Sequence, residues 1–255
     1  MRFPPLLQRL PRAALLAFAI AAAPGPSLGQ SDADGADPIE PFNRYVFEVN
    51  RFADEFFGKP VAMIYREIVP TPARDAVANA LANLKLPWTA VNDLLQGEIG
   101  RAGEATARFL VNSTFGIVGL FDPAKALGIA NHEEDFGQTL GVWGLGGDPY
   151  LVLPVFGPSN PRDTVGLVAD RVFDPVTLAL NGGELNASNG FLTARGVLGF
   201  VSARERAIEA VDEFQRGADY YAAIRSAYRQ RRAAAIRNDS TSGAPQRFRF
   251  GSESE

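Results

Sequence analysis

The sequence predicts a mainly α protein. Three observations carry that class. Apolar residues recur at three- and four-residue spacing through most of the chain, strict alternation is confined to residues 150–155, and proline or capping residues cut the remainder into helix-length pieces. The run 136–161 stands apart, because it carries a single formal charge, Asp148, and is studded with Gly141, Gly144, Gly146, Gly147, Pro149, Pro154 and Pro158. Those residues rule out one continuous helix across it. It reads either as a re-entrant hairpin lining a passage, where broken backbone is tolerated at membrane depth, or as an ordinary buried loop and strand.

Residues 1–12 carry Arg2, Arg9 and Arg12 with no acid, residues 13–23 are apolar, and Pro24, Pro26, Ser27 and Gly29 follow. This is the pattern of a secretory signal peptide, with cleavage after Gly29 or after Ala23. At ~1.5 Å per residue the apolar run covers only ~16 Å, about half of a hydrocarbon core. Gln30 stands where a lipidated cysteine would follow the cleavage site, and the chain has no cysteine, so a thiol-borne lipid, a disulfide and a thiolate metal site are not expected. Without the three leader arginines, 22 basic residues face 29 acidic ones, a net charge of about −7. Such a balance argues against nucleic acid as a partner and leaves apolar burial as the basis of any lipid contact.

After a short acidic linker, Asp37-Pro38-Ile39-Glu40 has the form of a helix start, with an N-cap carboxylate, an early proline and a glutamate three residues on. The helix that follows places Phe42, Tyr45, Val46, Val49, Phe52 and Phe56 on one stripe, with Asn43, Glu48, Arg51, Asp54 and Glu55 opposite. An aromatic stripe at this spacing is more often core than interface. Pro60 and the Pro70-Thr71-Pro72 turn punctuate the next stretch. Val77, Leu81 and Leu84 define a helix over 73–86 that stops at Pro87. Trp88, Val91, Leu94 and Leu95 form a short helix ended by Gly97, and another begins at Glu98. Its second part, 109–121, has no charge and would be ~20 Å long as a helix, enough to lie in one leaflet but not to span a bilayer.

Asn160-Pro161-Arg162-Asp163 reads as the next N-cap, with a helix over 165–180 interrupted at Asp174-Pro175 and a Gly/Asn-rich loop at 181–183. One long helix is expected over 193–232. It sets Val201, Ile208, Val211, Phe214, Ala218, Tyr221, Ile224 and Tyr228 on a seam and Arg225, Arg229 and Arg232 on a second, wet face able to meet an acidic partner or lipid head groups. Residues 238–255 are polar and expected to be disordered. The domain plan is therefore a signal peptide at 1–29, a linker at 30–36, a helical domain at 37–237 and a tail.

Catalytic chemistry is absent from the pattern. The single histidine, His132, stands in Asn131-His132-Glu133-Glu134-Asp135, which reads as a polar loop at a helix start, since a metal site needs several convergent ligands. Gly116 and Gly119 lack the Lys-Ser/Thr of a phosphate loop, and no Gly-x-Ser-x-Gly nucleophile elbow occurs. No enzyme, no cofactor and no metal is expected.

Seven motifs occur in order: Asp37-Pro38 with Phe42-Asn43-Arg44, Val69-Pro70-x-Pro72-Ala73-Arg74, Leu95-Gln96-Gly97, Arg108-Phe109-Leu110-x-Asn112-Ser113 with Gly116-x-x-Gly119, Asp135-Phe136-Gly137-Gln138-Thr139-Leu140-Gly141, Leu153-Pro154-x-Phe156-Gly157-Pro158-Ser159-x-x-Arg162-Asp163, and Tyr220-Tyr221-x-x-Ile224-Arg225-x-x-Tyr228. Together they resemble the MlaA/VacJ family over residues 37–232. The resemblance implies an outer-membrane component of phospholipid asymmetry, on the periplasmic side. Its fold would be a flat ring of amphipathic helices lying in the membrane around a central channel. Through it a misplaced phospholipid would pass to a periplasmic lipid-binding protein of the MlaC type, with a trimeric porin as partner. Gly141, Gly144, Gly146, Gly147 and Tyr150 are then expected to line and gate the channel, and Phe42, Phe52, Phe56, Phe109, Phe115 and Phe121 to contact lipid. A soluble periplasmic lipid carrier and a phospholipid hydrolase are the alternatives.

Overall fold

Proline placement sets most of the helix boundaries. In the computed structural model, which describes residues 37–181, 185–217 and 219–239, seven helices carry proline at their first or second position. There its missing N–H has no intrahelical acceptor to lose and its fixed φ suits the helix. The predicted leader, the linker, the loop at 182–183 and the tail beyond 239 lie outside the described residues. The chain divides after Pro38, and every element below belongs to the unit that starts at Ile39.

The elements are α1 (Glu40–Ala53), a π-turn (Asp54–Gly58), α2 (Lys59–Ile68), α3 (Thr71–Asn83), α4 (Leu86–Gln96), α5 (Ile99–Thr114), α6 (Pro123–Ala126), α7 (Phe136–Val142), β1 (Leu151–Leu153), β2 (Gly157–Ser159), α8 (Pro161–Phe173), α9 (Pro175–Asn181), α10 (Leu185–Arg206), α11 (Ile208–Gln215) and α12 (Tyr220–Ile236). The mainly α class holds. Among the described residues no helix is long and apolar enough to cross a membrane.

Several expectations need correction. Ile39, not Asp37, occupies the cap position of α1, and no side chain caps it. Pro60 does not end the first helix, because the π-turn ahead of it, where Lys59 N–H reaches back to the Asp54 carbonyl, takes up the extra residue and lets α2 continue. The uncharged run 109–121 is not one helix. α5 ends at Thr114, and Ile117, Val118 and Gly119 follow at φ of 51°, 57° and 88°. Such left-handed backbone cannot continue a right-handed helix. The last helix is three pieces, broken after Arg206 and again ahead of Asp219, whose carboxylate accepts from Ala222 N–H and starts α12. The cap at Asn160 is as read: its side chain accepts from Asp163 N–H, and Pro161 follows at once.

The apolar core is small. Val46 and Phe47 of α1, Tyr150, Val152 of β1 and Tyr221 of α12 form one cluster, with Tyr220, Ile224 and Tyr228 packed against it. Its rings meet edge to face, at 5.5 Å for Phe47–Tyr221 and 6.1 Å for Tyr150–Tyr221. A second cluster joins Leu86 and Ala90 of α4 to Ala105 of α5, with Phe109 against it.

Polar side chains hold much of the remaining interior. β1 and β2 pair antiparallel with Val152 opposite Pro158. Val152 N–H donates to Asn43 Oδ1 at 2.9 Å, while Asn43 Nδ2 donates to the Tyr150 carbonyl at 3.0 Å. Asn43, expected on the polar outer face of α1, is therefore fully buried. Arg108 grips Asp122 with Nη2, at 2.8 and 2.7 Å, and the Ile129 carbonyl with Nη1. Glu205 of α10 takes Arg66 and Arg74 together, and Arg204 takes Asp54. α7 and α8 touch backbone to backbone, since a Cβ at Gly166 would overlap the Gly137 main chain.

Candidate functional site

The aromatic stripe of α1 faces outward. Phe42, Tyr45, Val49, Phe52 and Phe56 are all exposed, and Phe57 of the π-turn with Met63, Ile64 and Ile68 of α2 carry the apolar surface onward. Only Val46 of the predicted stripe enters the core, beside Phe47, so the core reading of that stripe fails. The Phe52 and Phe56 rings lie 4.3 Å apart on the surface. The left-handed turn after α5 adds Phe115, Ile117, Val118 and Phe121, and the β-hairpin tip adds Val155 and Phe156. Phe109 differs from the other predicted lipid contacts. It lines an apolar cavity of about 350 Å³ with Pro87, Pro175, Val176, Leu180 and Phe191. Among the described residues, exposed large hydrophobic side chains outnumber buried ones, while Asn43, Asn92, Asp93, Thr139 and Asn160 are buried. This inverts the arrangement of a water-soluble domain.

The glycine-rich run resolves into α7, an irregular turn and the β1–β2 hairpin. Its glycines divide by environment. A Cβ at Gly144, where φ is 92°, or at Gly146 would meet no atom within 4 Å, so both residues border open space. At Gly141 such a carbon would meet Ile236 at 2.8 Å and Arg162 Nη1 at 3.0 Å, and at Gly147 it would sit 3.5 Å from the same Nη1. Gly141 thus makes room for the Arg162 guanidinium, whereas Gly147 lies at ordinary contact distance from it. Tyr150 is buried, not spread along an open passage, because its ring fills the core against Tyr221 and Tyr228.

Gly147, Asp148, Tyr150, Asn160, Arg162, Tyr228, Arg229 and Arg232 come together around a cleft of about 240 Å³. Four of these, Gly147, Tyr150, Arg229 and Arg232, are candidates from the sequence, and the fold unites them. Arg225, Arg229 and Arg232 of α12 do not share one wet face. Arg232 is largely buried and takes Asp135 at 2.6 Å and Asp163 at 2.8 Å, because these carboxylates from α8 and the start of α7 need a cation where water is scarce. Arg225 lies 3.6 Å from Glu40 and over the Tyr221 ring. Arg229 reaches Asp148 at 3.4 Å.

Burial would raise the Asp163 carboxyl, but hydrogen bonds from Arg162 and Tyr228 and the charge of Arg232 outweigh it and hold the group below the usual carboxylate range. Tyr228 moves up, through its own burial and its hydrogen bond to Asp163. Asp135 is likewise lowered, burial being overcome by Arg232. Asp148, Asn160, Arg162 and Tyr228 enter the sequence reading only as a lone charge, a helix cap, a motif residue and a seam residue, not as members of a site. The one legible signal is Asp148, a lone charge in an otherwise uncharged run of 26 residues.

His132 is not in a solvated loop. It is buried, with Nε2 2.8 Å from Asp93 Oδ2, beside Arg101 and Glu134, which pair at 2.7 Å. Burial raises Glu134 against the pull of Gln96 and Arg101.

Similarity to known proteins extends over most of the chain. A family model described as MlaA lipoprotein matches residues 35–235. The intermembrane phospholipid transport system lipoprotein MlaA of Escherichia coli (strain K12) is 34% identical over 212 residues, 80% of each chain. Its counterpart in Haemophilus influenzae is 31% identical over 198 residues, 76% of each chain. A solved structure described as the structural basis for maintenance of bacterial outer membrane lipid asymmetry superposes with a TM-score of 0.69 at 31% identity, covering 79% of this chain and 100% of that one.

Proposed function

This chain belongs to the MlaA family, and we propose that it maintains lipid asymmetry in the outer membrane by removing misplaced phospholipid from the outer leaflet. One observation carries the reading: the inversion of burial, with aromatic and aliphatic side chains outside and asparagines and ion pairs inside, in a protein whose described helices are all too short or too polar to span. Amphipathic helices of this kind lie in the plane of a bilayer with their apolar faces in the acyl region. The stripe Phe42–Phe52–Phe56 and the exposed turn carrying Phe115 and Phe121 supply that face.

The lipid moves through an amphipathic channel to a periplasmic carrier of the MlaC type, with a trimeric porin alongside and no bond broken. The polar interior gives a head group something to exchange water for, and the apolar cavity around Phe109 is of a size to take part of an acyl chain. Gly144 and Gly146, free of neighbours, supply the flexible part of a gate. The protein acts in the cell envelope as a transport component.

The test is complementation. In cells deleted for this chain, phospholipid in the outer leaflet is labelled from outside with an amine-reactive, impermeant dye. Restoring the chain should bring labelling to the parental level. A chain that is abundant and membrane-bound yet leaves labelling high overturns the reading, and release of lysophospholipid or free fatty acid would favour the hydrolase.

A further inference from the structure

The cleft beneath the irregular turn at 143–150 has the chemistry of an anion site with its own counter-ion in place. Arg162 lines it from the buried side and is itself 92% buried, being 8% exposed. Its Nε is held by Asp163 at 2.8 Å and its Nη1 by the Leu145 carbonyl at 3.3 Å, while Nη2 has no hydrogen-bond partner among the described residues. Arg229, 34% exposed, lines the same cleft and makes a 3.4 Å contact with Asp148, itself 84% exposed. A pair so long and so wet contributes little and exchanges readily. Arg232 is committed to Asp135 and Asp163, so it fixes the wall without being available. Asn160 Nδ2 and Tyr228, both turned to Asp163, complete the wall.

We propose that this cleft holds the phosphate of a phospholipid between Arg162 and Arg229, and that Asp148 is a latch that occupies Arg229 until the phosphate displaces it. The inference rests on the transport reading above and adds a named subsite to it. A phosphodiester offers two oxygens to two guanidinium groups, whereas Asp148 satisfies only one of them. Desolvation of Arg162 strengthens its pull on an incoming anion, and Gly141 keeps the space that the guanidinium needs. The lone charge of the glycine-rich run thereby acquires a role, as a competitor for lipid.

The experiment uses the full chain in nonionic maltoside detergent. Calorimetric titration is run with dihexanoyl-phosphatidylglycerol below its micelle concentration, with dihexanoylglycerol, and with inorganic phosphate. The phospholipid should bind, phosphate should compete with it, and the diacylglycerol should do neither. Asp148→Asn should tighten phospholipid binding by about three- to tenfold, and Arg229→Ala should weaken it by about tenfold or more. Both positions are exposed enough for the fold to survive, which a thermal melt checks. An unchanged affinity in Asp148→Asn overturns the latch. Binding of inorganic phosphate without the phospholipid overturns the lipid assignment, and binding of neither overturns the site. The transport reading is tested separately by the labelling assay. Arg229→Ala at parental labelling removes the cleft from the lipid route and leaves that reading standing, whereas failure of the unaltered chain removes the reading itself.

Discussion

Replacing Asn43 by alanine should cost this protein more than its position on an amphipathic helix suggests. The side chain, 0% exposed, accepts from Val152 N–H at 2.9 Å and donates to the Tyr150 carbonyl at 3.0 Å, tying α1 to β1. Asn43→Ala removes the side-chain partner of both buried backbone groups, at about 1–3 kcal/mol each, so a loss of up to about 2–6 kcal/mol is expected. Asn50 provides an internal control. It makes the same pair of bonds one helical stretch further on, to the Leu153 carbonyl at 2.9 Å and from Val155 N–H at 2.8 Å. There the clasp is more open, with the Val155 N–H exposed and the Leu153 carbonyl only part-buried, so water can reach the groups it leaves. Asn50→Ala should therefore cost only about 0.5–1.5 kcal/mol. Denaturant unfolding in nonionic detergent, followed by near-UV circular dichroism, gives both numbers. Equal losses, or a loss under about 0.5 kcal/mol for Asn43→Ala, would refute the argument that burial makes the clasp matter.

Three further outcomes are expected. Phe52→Ser combined with Phe56→Ser removes two exposed rings, each able to contribute roughly 1.5–3 kcal/mol when lipid covers it, so liposome binding should fall at least tenfold in flotation assays while the melt in detergent stays put; unchanged flotation would exclude α1 from the membrane face. Burial lifts the Asp170 carboxyl to about 6, against hydrogen bonds from Trp88 and Phe136 N–H. Being raised above its unfolded value, the group favours folding fully below about pH 4 and loses that contribution as pH rises through 6. Asp170→Asn should thus gain up to about 3 kcal/mol at pH 7.5 and match the parent at pH 4, and identical stability at both pH values would count against a buried carboxylate. Gly166→Ala should destabilise by about 1–3 kcal/mol, because its Cβ would strike the Gly137 backbone, whereas Gly146→Val, in open space, should fold normally and fail only in lipid handling; normal outer-leaflet labelling in Gly146→Val would remove Gly146 from the gate.

Although Pro72 and Pro87, read as a turn and a helix stop, lie in the first turns of α3 and α4, local chemistry was enough for the helical class, the Asn160 cap, the break at Asp174-Pro175 and the family. These are local matters, settled by a missing N–H, a short polar side chain or an ordered motif within a few residues. Which face of each helix points inward was decided only by the tertiary structure. Periodicity shows that α1 has an apolar and a polar side but not which one meets protein, and here the usual assignment is reversed for Phe42, Phe52 and Phe56 and for Asn43. The same holds for Arg232: its spacing on α12 matches Arg225 and Arg229, yet Asp135 and Asp163, 97 and 69 residues earlier in the chain, take it out of solvent. The cleft of Asp148, Arg162 and Arg229 draws on three separate elements, and no local pattern records their meeting. Helix boundaries follow from the backbone's own chemistry, whereas burial depends on what the surrounding medium is, and that is written in contacts between distant residues.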